Sequence, residues 1–144
     1  MILVTGCGSG IGLALADLLY AHKRYRVVVT ARAGSLISLR RRFRESDRFI
    51  IRQLDVTSRA ERQRLMREVR GRWGAVNILV NNAGIAYRAV LEHMTDADEK
   101  KQIATNYLAP AALIRLVLPG MRKLCRGKII NVSSVSGMLA MPTM

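Results

Sequence analysis

The chain has 144 residues, of which 50% are hydrophobic and 24% charged, and its formal net charge at pH 7 is +14. This length and apolar content predict one folded domain, residues 1–144, and argue against a disordered chain. No apolar run approaches the roughly 20 residues of a membrane span and no targeting segment opens the chain, so we expect a cytoplasmic protein. The two cysteines and two histidines do not have the spacing of a metal site, so we expect no bound metal.

The first predicted strand ends in a glycine-rich turn. Residues 2–4 are apolar, and the chain continues Thr5-Gly6-Cys7-Gly8-Ser9-Gly10-Ile11-Gly12. The helix that follows carries apolar residues at helical spacing on one predicted face: Ile11, Ala14, Leu15, Leu18 and Leu19. A strand that turns through glycines into a helix directs backbone N–H groups and the positive helix end to one point, where a phosphate binds. Taken alone, the turn fits an ordinary strand–turn–helix joint equally well.

Strand and helix patterns then alternate along the chain. Strands are predicted at residues 26–30, 49–54, 76–80 and 128–132, and helices at 35–44, after the N-cap Ser58, and at 98–123. Ser58 and Glu61 form a predicted capping box, followed by an apolar stripe of Leu65, Met66, Val69 and Trp73. In the long last helix the predicted stripe is Ile103, Tyr107, Ala111, Ile114 and Leu118, and we expect Pro110 to kink the helix.

Most of the basic residues precede residue 75. They include Arg40, Arg41, Arg42 and Arg44 and a series at positions 59, 62, 64, 67, 70 and 72. Such a charge balance favours nucleic acid, acidic membrane surfaces or anionic ligands, whereas a solvated arginine-rich helix face is the more common explanation. Aromatic residues make up only 5% of the chain and do not interleave with the arginines, so nucleic acid is a disfavoured partner.

Apolar strands that alternate with helices are typical of an α/β fold, here a doubly wound, Rossmann-type parallel sheet of about five strands with helices on both faces. Ligands of such sheets bind at the carboxyl ends of the strands. The segments at those ends are small or polar: the glycine turn, Ala31-Arg32, Asp55-Val56, Asn81-Asn82-Ala83-Gly84 and Ser133-Ser134. The sequence therefore predicts a ligand site at this edge.

These motifs, in this order and spacing, resemble those of the short-chain dehydrogenase/reductase family. The resemblance covers the whole chain and also includes Asn106 and the segment Asn131-Val132-Ser133-Ser134-Val135-Ser136-Gly137. The residue sequence of the glycine turn and the segment Gly137-Met138-Leu139 are similar to those of the retinol and hydroxysteroid dehydrogenase branch. The resemblance implies an oxidoreductase that transfers a hydride between NAD(P)(H) and a small alcohol or carbonyl substrate, and a homo-oligomer when the protein is full length.

The resemblance also implies a role for each matching residue. The pyrophosphate of the cofactor would contact the glycine turn, namely Gly6, Ser9, Gly10, Ile11 and Gly12. Asp55 and Val56 would hold the adenine, and Asn82, Ala83 and Gly84 would line the path to the nicotinamide ribose. Asn106 would hold the water of a proton relay through its backbone, and Ser134 would hydrogen-bond the reacting oxygen of the substrate.

The residue at the end of the second strand predicts the cofactor. An acidic residue at this place accepts hydrogen bonds from the ribose 2′-OH and repels a 2′-phosphate. Here Ala31 is followed by Arg32, whose guanidinium can pair with a phosphate. We therefore expect NADP(H) to be preferred over NAD(H).

The chemistry of the family also needs a tyrosine acid/base with a lysine four residues later. This pair would fall just beyond Met144, and no tyrosine follows Ser134 in the chain. The sequence therefore predicts the N-terminal, cofactor-binding half of a longer dehydrogenase, which by itself is inactive and poorly soluble. Two alternatives stay open: a catalytically inactive dinucleotide-binding module or remnant, and, less favoured, a basic nucleic-acid-binding protein.

Overall fold

The computed structural model describes residues 1–87 and 89–135. The five strands are β1 (Ile2–Val4), β2 (Val27–Ala31), β3 (Phe49–Gln53), β4 (Ile78–Asn81) and β5 (Lys128–Asn131). The helices are α1 (Gly10–Ala21), α2 (Ala33–Arg42), α3 (Arg59–Trp73), α4 (Asp96–Ile103) and α5 (Ala109–Lys123). A short 3-10 helix spans Leu91–His93, and a π-helical turn, Ala104–Leu108, joins α4 to α5.

All five strands form one parallel sheet in the order β3-β2-β1-β4-β5, with β1 at its centre. Ile2 pairs with Val27 on one side and with Ile78 on the other. Since β2 lies on one side of β1 and β4 on the other, the chain winds outward in both directions. The predicted doubly wound α/β fold is confirmed.

The strands β1 and β2 bury both of their faces because helices cover each side of the sheet, whereas the edge strand β5 is largely exposed. One core layer joins Leu3, Val28 and Ile50 to α3 and α5, and the other joins Val4 and Val29 to α1 and α2. Neighbouring strand residues point to opposite faces, so each short apolar run supplies both layers. This explains why the strands read as continuous apolar runs rather than as alternating patterns.

The predicted buried face of α1 is wrong in part. Ile11 and Leu18 are 67% and 64% exposed, whereas Gly12 and Ala16 are the residues of α1 that are fully buried. Leu15 and Leu19 do pack against the core, together with Leu13 and Tyr20. An apolar helix offers several faces at helical spacing, and here the small residues decide which one approaches the sheet because they allow the helix backbone to come close.

The predicted apolar stripe of the long helix is also wrong in part, because Ile114 packs against the core but the stripe does not form the buried face. The residues of α5 that face the core are Ala109, Leu113, Val117 and Met121. From the predicted stripe, Ile103 and Tyr107 are exposed and the others are only partly buried. The helix is apolar on more than one side, and the face that packs on the sheet runs from Thr105 in the π-helical turn through Ala109 and Leu113 rather than along the predicted stripe. This turn lies directly before Pro110, where a kink is expected.

The continuous helix Asp96–Lys123 is, within the described ranges, the one helix long and apolar enough to cross a membrane by length and composition. In the structure its second half packs on the sheet through Leu113, Val117 and Met121. The second half of this helix thus supplies one face to the core, whereas Tyr107 and Leu108 in the π-helical turn are 69% and 54% exposed.

A pair of leucine truncations tests which side of α5 faces the core. Leu113→Ala removes a side chain that is only 1% exposed, so we expect the free energy of unfolding to fall by about 2–5 kcal/mol. Leu118→Ala, in the predicted stripe and partly buried, is the matched control and should cost less than half as much. Urea denaturation followed by circular dichroism measures both losses, and equal losses would contradict the observed packing.

Candidate functional site

The turn between β1 and α1 passes close to the end of β4. Gly6 has a φ of +72°, and a Cβ on it would lie 2.6 Å from the Cα of Ala83. A Cβ on Gly12 would strike the carbonyl oxygen of Gly6 and the side-chain nitrogen of Asn82. Both glycines are therefore required by the close approach of three backbone segments, before any ligand is considered.

Thr5 and Asn82 hold these segments together. The buried Thr5 hydroxyl donates to the carbonyl of Val80, 3.3 Å away, and accepts from the N–H groups of Asn82 and Ala83, each at 3.1 Å. The Asn82 amide donates to the carbonyls of Thr5 and Gly6, each at 3.0 Å. These bonds fix the ends of β1 and β4 relative to each other, so the glycine turn has a rigid floor.

A cavity of about 370 Å³ opens above this floor, at the carboxyl ends of the strands. It brings together nine of the predicted site residues: Gly6, Ser9, Ile11, Arg32, Asp55, Val56, Asn82, Ala83 and Gly84. Gly10 and Gly12 lie in the first turn of α1 next to the lining residues Ser9 and Ile11. Neither Asn106 nor Ser134 lines this cavity. The strand-end motifs therefore do converge, as the parallel sheet requires.

Asp55 supplies a carboxylate to the cavity. Its Oδ1 accepts from the hydroxyl and the N–H of Thr57, at 2.7 and 2.9 Å. The Thr57 hydroxyl, with smaller contributions from the charges of Arg32 and Arg62, holds the pKa of Asp55 below its ordinary value, although partial burial opposes this. Asp55 is therefore ionised at neutral pH, and its second oxygen can accept from a ligand.

Arg32 carries positive charge at the edge of the cavity. It is the exposed N-cap residue of α2, and the part of the chain that the structure describes places no acidic group in an ion pair with it. Ser35, in the first turn of the same helix, is partly buried and lines the same cavity. A guanidinium without an ion pair beside a helix N-terminus creates a region that attracts anions.

Asn106 lies directly behind the cavity lining, beside the lining residues Gly84 and Ile85. The Asn106 amide is bonded at both ends to the backbone of Ile85: its Oδ1 accepts from the N–H at 2.9 Å and its Nδ2 donates to the carbonyl at 2.8 Å. Its side chain thus ties the π-helical turn to the loop after β4. Ser134 is exposed in the segment after β5, where Val132 lines the cavity. Residues 136–139, including Gly137 and Met138, lie outside the described residues.

Several cavity residues were not predicted from the sequence. Ser35, Thr57, Lys101, Thr105 and Val132 all line the cavity. Thr57 follows the recognised Asp55-Val56 pair and could have been included with it. Lys101, whose ammonium lies 6.0 Å from the ring centre of Tyr87, belongs to α4, where neither periodicity nor a motif marks it. Within residues 1–87 and 89–135, no group of three His, Cys, Asp or Glu side chains could hold a metal ion.

Comparison with known proteins places these features in context. The short chain dehydrogenase family model matches residues 1–144. Retinol dehydrogenase 8 of Homo sapiens is 37% identical over 143 residues, which cover 95% of this chain and 45% of that protein. The chain spans about half the length of the curated relatives it matches.

Solved structures show the same similarity. A short-chain dehydrogenase from Streptomyces avermitilis superimposes with a TM-score of 0.87 at 34% identity, over 99% of this chain and 52% of that one. A gluconate 5-dehydrogenase from Burkholderia cenocepacia, solved in complex with NADP and tartrate, gives a TM-score of 0.85 at 35% identity, over 99% of this chain and 56% of that one. Similarity at this level extends through the whole described fold.

Cys7 tests the tight packing beneath the glycine turn. Its thiol is fully buried, and burial raises its pKa to about 12, whereas Cys125 is exposed. The thiolate is the reactive form, so at pH 8 we expect iodoacetamide to modify Cys125 and to leave Cys7 unmodified in the folded protein. Mass spectrometry of the digested protein measures the label on each cysteine. As a control, the Cys125→Ser variant should take up no label until urea unfolds it. Rapid labelling of Cys7 in the folded protein would contradict the observed burial.

Proposed function

The chain belongs to the short-chain dehydrogenase family, and from this premise we propose that it forms the cofactor-binding half of an oxidoreductase that transfers a hydride between NADP(H) and an alcohol or carbonyl substrate in the cytoplasm. The observation that carries the proposal is the cavity at the carboxyl ends of the strands, which the glycine turn, Arg32 and Asp55 line together. Such a position, between β1 and β4 where the chain reverses direction across the sheet, is the usual ligand crevice of a doubly wound fold.

The lining residues fit a dinucleotide. The turn has no side chain at Gly6, and the first turn of α1 begins at Gly10, so backbone N–H groups and the helix end can approach a pyrophosphate. Ser9, Ile11 and Gly12 complete this contact. Asp55, which is ionised, accepts from the adenine amino group, and the backbone of Val56 holds the ring. Asn82, Ala83 and Gly84 extend the site toward the nicotinamide end, where the bound cofactor supplies the hydride.

Arg32 supports a preference for NADP(H). Its guanidinium is exposed, has no ion pair within the described ranges and lies beside the first turn of α2. A 2′-phosphate at this place would gain a charge-assisted hydrogen bond from Arg32. The 2′-OH of NAD(H) is usually bound by an acidic residue at the end of the second strand, and this chain has Arg32 there instead.

We assign Asn106 and Ser134 to the catalytic side of the site. The amide of Asn106 is used by Ile85, so its backbone carbonyl is the group that could hold a water molecule. Pro110 lies four residues later and has no N–H, so the usual helical bond to that carbonyl cannot form. Ser134, after β5, would donate to the reacting oxygen of the substrate and stabilise the charge that develops on it.

A second candidate is a dinucleotide-binding module without turnover. The sequence feature that favours it is the lack of a Tyr-x-x-x-Lys motif in the 144 residues, since this pair supplies the acid/base group of the reaction. For both candidates we propose that residues 1–144 bind the cofactor. For the longer protein, we also propose that it forms a homo-oligomer.

Cofactor affinities test the role of Arg32. We expect the chain to bind NADPH more tightly than NADH, and Arg32→Ala to weaken NADPH binding by about 10- to 100-fold because a charge-assisted hydrogen bond is lost. NADH binding should change by less than about threefold. Isothermal titration calorimetry measures both dissociation constants, and Arg64→Ala, an exposed arginine on α3 outside the cavity, is the matched control. Equal affinities of the unaltered chain for the two cofactors would refute the assignment.

Turnover separates the two candidates. With saturating NADPH and a panel of aldehydes and ketones, we expect the 144-residue chain to show binding by nucleotide fluorescence but no oxidation of the cofactor. If a longer form of the protein that contains a downstream Tyr-x-x-x-Lys oxidises NADPH, the oxidoreductase is supported over the module. Turnover by the 144-residue chain itself would show that the missing tyrosine is not needed, and the assignment of the acid/base group would be wrong.

A further inference from the structure

The parallel architecture collects positive charge at one end of the molecule. Each helix runs opposite to the strands, so the helix C-termini and the loops that follow them lie at the amino ends of the strands, away from the cavity. We call this end the basic pole: residues 22–26 and 43–48, residues 124–128, and the last turns of α2, α3 and α5. The last turns of these three helices are basic, and α2 alone ends in Arg40, Arg41 and Arg42.

Part of this charge has a structural use. Arg42 pairs with Asp17 at 2.7 Å, and Arg72 lies 3.6 Å from Asp47. Arg48 donates to the last carbonyls of α1, those of Leu19 and Tyr20. These side chains hold helices and loops together, so they are not available to a partner.

The larger part of the charge is exposed and has no ion pair among the residues that the structure describes. On the side of α1 and α2 it comprises Lys23, Arg24, Arg26, Arg40, Arg41 and Arg44. On the side of α5 it comprises Arg122, Lys123, Arg126 and Lys128. Cations in a last helical turn complement the helix dipole, but that effect fades within one turn and does not account for Lys23, Arg24 or Lys128.

The two sets of cations meet at the centre of the sheet. Burial lowers the pKa of the Met1 ammonium, and the charges of Arg26 and Arg126 lower it further. Arg26 precedes β2 and Arg126 precedes β5, so cations from both sides of β1 act on the same point. The pole also contains the acidic residues Glu45 and Asp47, but these pair with Arg52 and Arg72. Other acidic residues, such as Asp55, Asp96 and Glu99, lie toward the opposite end of the molecule.

Two exposed apolar side chains lie among these cations. Tyr25 is 40% exposed between Arg24 and Arg26, and Leu124 is 51% exposed at the end of α5. Cations around an exposed tyrosine and leucine suit a bilayer surface, where anionic headgroups attract the cations and the interface accepts the apolar groups. Nucleic acid would use the cations, but it would leave Leu124 exposed to water, and one tyrosine is no stacking platform.

We propose that the basic pole docks on the surface of a bilayer rich in anionic phospholipids. Arginine and lysine side chains at the pole contact the headgroups, and Tyr25 and Leu124 enter the interface. The cavity at the opposite end of the strands then faces the aqueous phase, so bound protein and free protein have equal access to cofactor.

Vesicle binding tests the electrostatic half of the proposal. We expect the chain to sediment with vesicles of phosphatidylcholine and phosphatidylserine in roughly a 7:3 ratio, and not with phosphatidylcholine alone. The double variant Arg24→Gln/Arg126→Gln removes one cation from each side and should weaken binding by about fivefold per charge. Arg64→Gln/Arg67→Gln, two exposed arginines along α3 away from the pole, lowers the net charge equally and should weaken binding by less than about threefold in total.

A second pair of variants tests the apolar half. Leu124→Ser should weaken vesicle binding by roughly tenfold because the leucine leaves the interface. Ile37→Ser removes a side chain that is 66% exposed on α2 and should leave vesicle binding unchanged. Circular dichroism and the melting temperature confirm that each variant remains folded.

Three results would overturn the proposal. Equal losses in the pole and α3 double variants would mean that net charge alone drives binding. Equal binding to vesicles with and without phosphatidylserine would remove the role of the cations. If a 20-base RNA displaces the chain from vesicles and its own binding depends on Arg24 and Arg126 but not on Leu124, the pole is a nucleic-acid surface instead.

Discussion

The Thr5 hydroxyl is the contact on which the rest of the structure depends. It lies where β1 ends and bonds to the chain at the end of β4, and Asn82 returns two bonds to the backbone of Thr5 and Gly6. These five bonds join the first strand to a segment more than 70 residues later. Because Gly12 packs against the carbonyl oxygen of Gly6, these hydrogen bonds also fix the start of α1. Without them, the turn would have no defined position relative to the strand ends.

The parallel arrangement of the strands then separates the molecule into two unlike ends. Loops that leave strands meet at the cavity, and loops that leave helices meet at the basic pole. One end carries glycines, amides and a carboxylate that suit a nucleotide, and the other carries arginines and lysines, most of which have no ion pair within the described part of the chain. A ligand at one end therefore does not compete for space with a partner at the other.

The individual site residues were accessible to sequence reasoning to different degrees. Gly6, Asp55 and Asn82 follow predicted strands. Since the carboxyl ends of parallel strands meet at one edge of the sheet, these residues come together there, and all three line the cavity. Lys101 and Thr105 reach the same cavity from α4 and the π-helical turn. Their arrival depends on the path of a long helix across the sheet, which no local pattern encodes. The roles assigned to the predicted residues stay predictions until a cofactor is bound.

By itself, the sequence determined the order of strands and helices, the capping of α3 by Ser58, the parallel sheet and the edge at which the cavity opens, since these follow from apolar runs, turn residues and chain connectivity. Only the tertiary structure decided which faces of α1 and α5 are buried. Both helices are apolar on more than one side, so their sequences permit several orientations. The small residues Gly12 and Ala16 select the orientation of α1, and in α5 the face that carries Ala109, Leu113 and Val117 is the one that packs on the sheet.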